Sequence, residues 1–277
     1  MEGSEMASVG PTMVIISYWV EREAKSLFSL IEQLFGCEAG APFSLTVVCN
    51  GGDERPMDLP RRFAERGVNV LNRENRGFNI GAWDHGWRVC RWHEHFLFLQ
   101  DDCYVVRSGW LGGFLEPTNR GPNIGLLGES FRRPWSRPWE ELKGPEHNVF
   151  AKGHETGGRR MRRVDLYMDF LRRHGIPPGE SARHLQALVL FASRKLLTEI
   201  GGFPTGDSYG ESIGAEIAIS KNVEAHGYST ALAGPRPFCY FGHREWTEKG
   251  SLRPRRRRGG REEDVRRRVL PQPAKYP

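Results

Sequence analysis

The five cysteines, Cys37, Cys49, Cys90, Cys103 and Cys239, are odd in number, and no two stand in a C-x-x-C pair. This argues against both a disulfide framework and a zinc cluster and fits a reducing, cytoplasmic setting. No apolar run approaches the roughly 18 residues of a membrane span, and Glu2 and Glu5 lie where a signal peptide carries its basic region. The sequence therefore reads as a soluble protein. It also lacks a repeat of fixed period, a recognisable nucleic-acid module, and a glycine-rich basic triphosphate loop after the first apolar run. Net positive charge is confined to one end. The net charge of +6 over 277 residues comes from the arginines crowded between Arg253 and Arg268.

What is present alternates. Met13 to Tyr18 and Phe43 to Cys49 are short apolar runs suited to central parallel strands, and Val68 to Leu71 is a third. Between the first two, Ala24, Leu27, Phe28, Ile31, Leu34 and Phe35 place one apolar stripe on a helix expected over 21–35. A short helix is expected over 59–66. Strands alternating with helices predict an α/β fold with a mostly parallel central sheet flanked by helices.

The apolar run Phe96 to Leu99 ends in Gln100-Asp101-Asp102 and resumes at Tyr104. It reads as a buried strand delivering two carboxylates to the rim of the sheet, where ligands of open α/β folds bind. Farther on, a strand is expected at Asn123 to Gly128, helices over 164–174 and 194–200, a strand over 184–193, and a helix over 212–226. Residues 131–163 are rich in Pro, Gly, Arg and Trp without a period, and read as a functional loop or lid. Trp135, Trp139 and the arginines between Arg132 and Arg163 are its candidate ligand contacts, Trp offering a flat face for stacking and Arg gripping an anionic group.

Five stretches in order resemble the GT-A fold nucleotide-sugar glycosyltransferases, the inverting family two in particular. Val47-Val48-Cys49-Asn50-Gly51-Gly52-Asp53 sits where that family has V-V-D-D-G-S-x-D. Asn75-Arg76-Gly77 with Gly81-Ala82 resembles the loop that approaches the nucleotide diphosphate. Gln100-Asp101-Asp102 takes the place of the D-x-D metal motif, Glu199 to Phe203 that of E-x-G-G-F, and a helix closed by Gly227-Tyr228 follows.

The resemblance implies a Rossmann-like domain over 13–246, with a nucleotide-sugar-binding half at 13–103 and an acceptor half at 104–246. Residues 1–12 are then a disordered lead-in and 247–277 a basic disordered tail. It implies Asp102 and His243 as ligands of Mn²⁺ or Mg²⁺, and donor contacts from Ser17, Tyr18, Asn50, Asp53, Asn75, Gly77, Asn79 and Asp101. Glu216 is the implied base that deprotonates the acceptor hydroxyl, with Glu211, just before the helix, as its rival. The implied reaction is transfer of a sugar from a nucleotide diphosphate to a hydroxyl, with inversion. Uridine donors follow the family's habit, while Cys49 replaces its base-reading acid and leaves thymidine and guanosine open.

Two other classes compete. One is a nucleotidyltransferase of related fold, and the other a non-catalytic module whose arginine tail docks on a polyanion or makes peripheral contact with an acidic membrane.

Overall fold

A computed structural model describes residues 12–116, 121 and 123–248. Of the expected lead-in at 1–12 and basic tail at 247–277, residues 1–11 and 249–277 lie outside the described residues, while Thr12 is already a buried strand residue and 247–248 end a short helix over Arg244–Glu248.

Seven strands form the central sheet. In chain order they are β1 (Thr12–Trp19), β2 (Phe43–Asn50), β3 (Asn69–Arg73), β4 (His95–Gln100), β6 (Ile124–Gly128), β9 (Val189–Ser193) and β10 (Ser229–Leu232). Their spatial order is β10-β6-β9-β4-β1-β2-β3, and every pairing is parallel except those of β9 with β4 and β6. Because β4 pairs with β9, the two expected halves share one sheet. The central strands are buried on both faces, which is why they read as continuous apolar runs.

Helices cover both faces. Helix α1 (Lys25–Gly36) buries Leu27, Leu30, Ile31 and Leu34 beside β1 and β2 in one core, and α3 (Phe78–Val89) belongs to the other with Trp83 and Trp87. Helix α1 starts four residues later than its apolar stripe suggests. The intervening residues turn, Arg22 N–H donating to Trp19 O, and bring Arg22 over the rim of the sheet. The expected helix at 59–66 is reduced to the single turn α2 (Arg61–Ala64).

After β4 the chain leaves the sheet. Strand β5 (Cys103–Val105) pairs antiparallel with β11 (Phe241–His243), and His243 lies opposite Cys103. Helix α4 (Trp110–Leu115) follows.

The stretch 131–163 is not the irregular loop its composition suggests. It contains a 3₁₀ turn at 133–135, the short helix α5 (Trp139–Leu142) and the hairpin of β7 (Phe150–Thr156) and β8 (Arg159–Arg162). Trp139 is buried, its indole N–H donating to Pro178 O at 3.0 Å, so it is a core residue and no sugar platform. Trp135 is also buried, with one edge on the cleft described below.

Helix α6 (Arg163–Arg173) and helix α7 (Arg194–Glu199) fall where periodicity places them. Helix α8 (Tyr209–Ala225) begins three residues earlier than expected, because the Ser208 hydroxyl accepts the Glu211 N–H and caps it. Among the described residues no helix is long and apolar enough to cross a membrane, and all five cysteines are free.

Candidate active site

The carboxyl ends of β1, β2 and β4 open into a pocket of about 120 Å³ lined by Ser17, Tyr18, Asn50, Asn75, Asn79 and Asp101 among others. Trp19, Arg22, Phe78, Asn79 and Gln100 are shared with a larger cleft of about 660 Å³, which also contains Asp102, His243 and Glu216. Nine of the sequence-predicted site residues therefore meet in one continuous depression.

Asp101 and Asp102 are brought there by the abrupt end of β4. Arg22 spans both, 3.0 Å from Asp101 Oδ1 and 3.4 Å from Asp102 Oδ2. Burial pushes Asp101 up to about 6 against the pull of Arg22. Burial acts the same way on Asp102, but His243 and Arg22 outweigh it and hold that carboxyl below its ordinary range.

His243 arrives by the β5–β11 ladder, whose last rung is completed by Arg244 N–H donating to Asp102 O at 3.3 Å. Its Nε2 is 2.7 Å from Asp102 Oδ1. Asp102 Oδ1 is buried and makes no well-formed hydrogen bond, so His243 Nε2 meets it as an ion-pair neighbour. The ring also faces Gln100 Oε1 at 3.4 Å, and Nδ1 accepts the Glu245 N–H at 3.2 Å.

A buried carboxylate oxygen 2.7 Å from an imidazole nitrogen fits a divalent cation that takes its remaining ligands from phosphate and water. No third His, Cys, Asp or Glu completes a cluster among the described residues. A neutral imidazole coordinating through Nε2 carries its proton on Nδ1, so His243 would surrender the Glu245 N–H contact on binding a cation.

Glu216 stands on α8, facing the cleft, with its side chain 22% exposed. Oε1 is 3.1 Å from Nε2 of His184, a side chain only 1% exposed. Nδ1 of His184 is 2.7 Å from Ala182 O, which can only accept, so Nδ1 carries a proton. Nε2 and Oε1 are both lone-pair atoms unless one further proton lies between them. The pair therefore holds that proton, and Oε2 makes no hydrogen bond among the described residues.

Glu211 does not share the cleft. It lies in the first turn of α8, not before the helix, where its carboxylate meets Arg173 Nη2 at 2.5 Å and the Asp207 N–H at 2.9 Å. Burial pushes its pKa up, but hydrogen bonds from Thr156, Asp207 and Arg173 prevail and lower it. A carboxylate committed to a cap and an ion pair is a structural anchor, and this corrects its reading as a rival base.

Four donor-contact expectations take a different form. Asp53 is exposed in the turn after β2 and lines neither pocket. Gly77 serves through its backbone: at φ +73° it caps α3, and a Cβ there would lie 2.8 Å from Thr205 Cβ. Asn50 spends its side chain internally, donating to Phe78 O and accepting from Arg73, both at 2.9 Å, and so shapes the loop 74–78. Tyr18 is 4% exposed and its hydroxyl donates to Arg22 O, which leaves little ring face for stacking. Phe78, with φ +53° and a face on both pockets, is the better placed aromatic. Cys49 cannot read a base either: it is wholly buried, its thiol pushed up to about 12 by burial and directed at Met57 Sδ.

Three contributors escaped sequence reasoning. Arg22 and His184 carry no local signal. Glu129 does, since it ends the apolar strand β6 as Asp101 ends β4. It is 1% exposed, and its carboxylate accepts the N–H groups of Cys239, Tyr240 and Phe241 at 2.6, 3.0 and 3.1 Å, fixing the strand that carries His243.

Neither a protein-family model nor a curated protein sequence matches the chain. Solved structures do. GalNAc-T7, crystallised with UDP, GalNAc and Mn²⁺, superposes with a TM-score of 0.53 at 12% identity over 86% of this chain and 44% of its own. The mannosyltransferase PcManGT from Pyrobaculum calidifontis, in complex with GDP-Man and Mn²⁺, gives a TM-score of 0.49 at 14% identity over 81% of this chain and 57% of its own. The chain thus spans about half the length of these two proteins. Its seven-stranded, mostly parallel sheet with flanking helices is the GT-A fold, the fold of nucleotide-sugar glycosyltransferases.

Proposed function

We propose that this protein is a metal-dependent glycosyltransferase that moves a sugar from a nucleotide diphosphate to an acceptor hydroxyl with inversion at the anomeric carbon. One observation carries the reading. The buried Oδ1 of Asp102 lies 2.7 Å from His243 Nε2 where the small pocket opens into the large cleft. Asp102 and His243 would hold Mn²⁺ or Mg²⁺, which when bound neutralises the charge that develops on the leaving diphosphate.

The chain's own groups do the rest. The small pocket, walled by Ser17, Tyr18, Asn75, Phe78 and Asn79, takes the nucleoside, with Asn50 holding the loop in shape. Asp101, tied to Arg22, orients the donor. Glu216 removes the acceptor proton. With His184 as the imidazolium, Glu216 is anionic, Oε1 is held in place, and Oε2 is the lone-pair atom presented to the acceptor. Family habit favours a uridine donor, and no side chain of the pocket singles out a base.

The test is a product assay. The full chain with Mn²⁺ and a panel of UDP-, GDP- and TDP-sugars should release nucleoside diphosphate from one donor class. Release of pyrophosphate from nucleoside triphosphates instead would identify a nucleotidyltransferase. Binding to polyanions without turnover, unaffected by loss of Asp102, would identify a non-catalytic module.

A further inference from the structure

The large cleft contains more positive charge than a neutral acceptor needs. Arg132, Lys152 and Arg163 line it, and among the described residues none of the three has a carboxylate within ion-pair distance. The contrast with neighbouring arginines is direct: Arg22 spans Asp101 and Asp102, and Arg173 bridges Asp169 and Glu211.

Two of these cations are held in fixed positions. The Arg132 guanidinium carbon lies 4.1 Å from the centroid of the Trp246 ring, and that of Arg163 lies 5.8 Å from the centroid of Trp135. Stacking occupies the flat face of a guanidinium and leaves its in-plane N–H groups to donate. The Arg163 side chain makes one hydrogen bond, from Nη2 to His147 O at 3.0 Å, and its buried Nε has no partner. No hydrogen bond from the Arg132 side chain is formed among the described residues.

The two arginines line one cleft. Trp135 packs edge-on against Tyr167 at 5.2 Å, and while burial pushes the Tyr167 phenol up, Arg163 and Arg132 both pull it back. Glu216 acts on the same phenol in the opposite sense. The arginines share the large cleft with Glu216 and Tyr167 and are not part of the lining of the small pocket. A neutral acceptor filling this space would desolvate two cations without compensating them, which is costly, whereas an anionic one pairs with both.

We propose that the acceptor carries an anionic group, phosphate or carboxylate, close to the hydroxyl that receives the sugar, and that Arg132 and Arg163 bind that group. This deepens the glycosyltransferase reading and rests on it for the word acceptor.

The test is equilibrium binding to the full chain by calorimetry, using inorganic phosphate, glucose 6-phosphate, glucuronate and glucose, with UDP and GDP plus Mn²⁺ titrated separately. The acidic sugars should bind at least about tenfold more tightly than glucose, and the order of glucose 6-phosphate and glucuronate tells phosphate from carboxylate. Arg132→Gln and Arg163→Gln should each weaken the acid by about tenfold, the loss of one charge-assisted hydrogen bond, while diphosphate affinity is retained. Arg61→Gln, exposed on α2, should change neither. Arg132→Lys and Arg163→Lys, with unfolding midpoints checked, separate loss of charge from loss of fold.

Equal or absent binding of acid and neutral sugar overturns the proposal. So does an equal loss of acid and diphosphate affinity in the glutamine variants, which would assign the arginines to the donor. If the wild type binds acids selectively but no nucleoside diphosphate, the anion site stands and the transferase reading fails.

Discussion

Nε2 of His184 lies 3.1 Å from Oε1 of Glu216 across 32 residues of chain, and a single proton satisfies both. The contact couples the chain entering β9 to the first half of α8. It turns a helix-face carboxylate into one with a fixed oxygen and a free one. Glu216→Gln removes the base without changing the shape of the cleft. Turnover should fall by about 10² to 10⁴, while nucleoside diphosphate affinity in Mn²⁺ stays within a factor of two or so. Glu211→Gln is the control: it should lower the unfolding midpoint through the Arg173 pair yet leave turnover per folded molecule unchanged. Steady-state rates and diphosphate titrations on the two variants check this.

Glu129→Ala should be among the most destabilising single changes in the protein. Three N–H groups of the segment that enters the strand bearing His243, those of Cys239, Tyr240 and Phe241, lose their acceptor. At about 1 kcal/mol or more for each buried donor left unpaired, the loss is about 3 kcal/mol or more. Urea unfolding measures it, and a loss below about 1 kcal/mol would contradict the role given to this carboxylate.

Gly81→Ala tests the loop that faces the donor pocket. A Cβ at this helical position would sit 2.1 Å from Arg76 O, so the loop carrying Asn75 has to shift while α3 persists. A cost of about 1 to 3 kcal/mol is expected from such overpacking, together with weaker nucleoside diphosphate binding. Unaltered affinity would place the loop outside the donor site.

His154 should weaken the fold on the acid side of neutrality. His154 is 3% exposed, its Nδ1 directed at Lys152 O and its Nε2 at the Tyr167 hydroxyl. Burial lowers its pKa from the ordinary 6.5, with the Lys152 bond opposing and Arg163 assisting. His85 and His93 shift in the same direction. At these histidines the unfolded chain binds more protons than the folded one as pH drops below 6.5, a destabilising contribution, while Asp101, raised to about 6, and Glu129, raised to about 7, act in the opposite sense because the folded chain takes up their protons first. Between pH 7.5 and 5.0, unfolding curves should show a change in stability that is more favourable in His154→Gln than in the wild type, and an equal change in both would contradict the role given to this histidine.

The sheet was legible because its central strands are buried on both faces and so appear as unbroken apolar runs. The position of Asp101 and Asp102 was legible for the same reason, as the place where such a run stops. Glu216 could be located by counting back from Gly227-Tyr228, and His243 by family resemblance alone, since the ladder that brings it to Asp102 joins segments more than 130 residues apart. What the sequence could not convey was which polar groups are already spent. Asn50, Tyr18 and Glu211 have the right chemistry, but their hydrogen bonds are committed inside the protein. Trp139 misled in the opposite way, because composition marks an aromatic without marking its burial.

The central claim, a metal-dependent nucleotide-sugar site built on Asp102, is tested most directly by thermal shift. UDP, GDP, TDP, ADP and CDP are each added with and without Mn²⁺ to the wild type and to Asp102→Ala. A ligand at about 100 times its dissociation constant adds about 2.7 kcal/mol, or roughly 5 to 11 °C for a domain near this size. The account predicts that one diphosphate stabilises the wild type only with Mn²⁺ and fails to stabilise Asp102→Ala. A flat panel, or an equal shift in the variant, would contradict it.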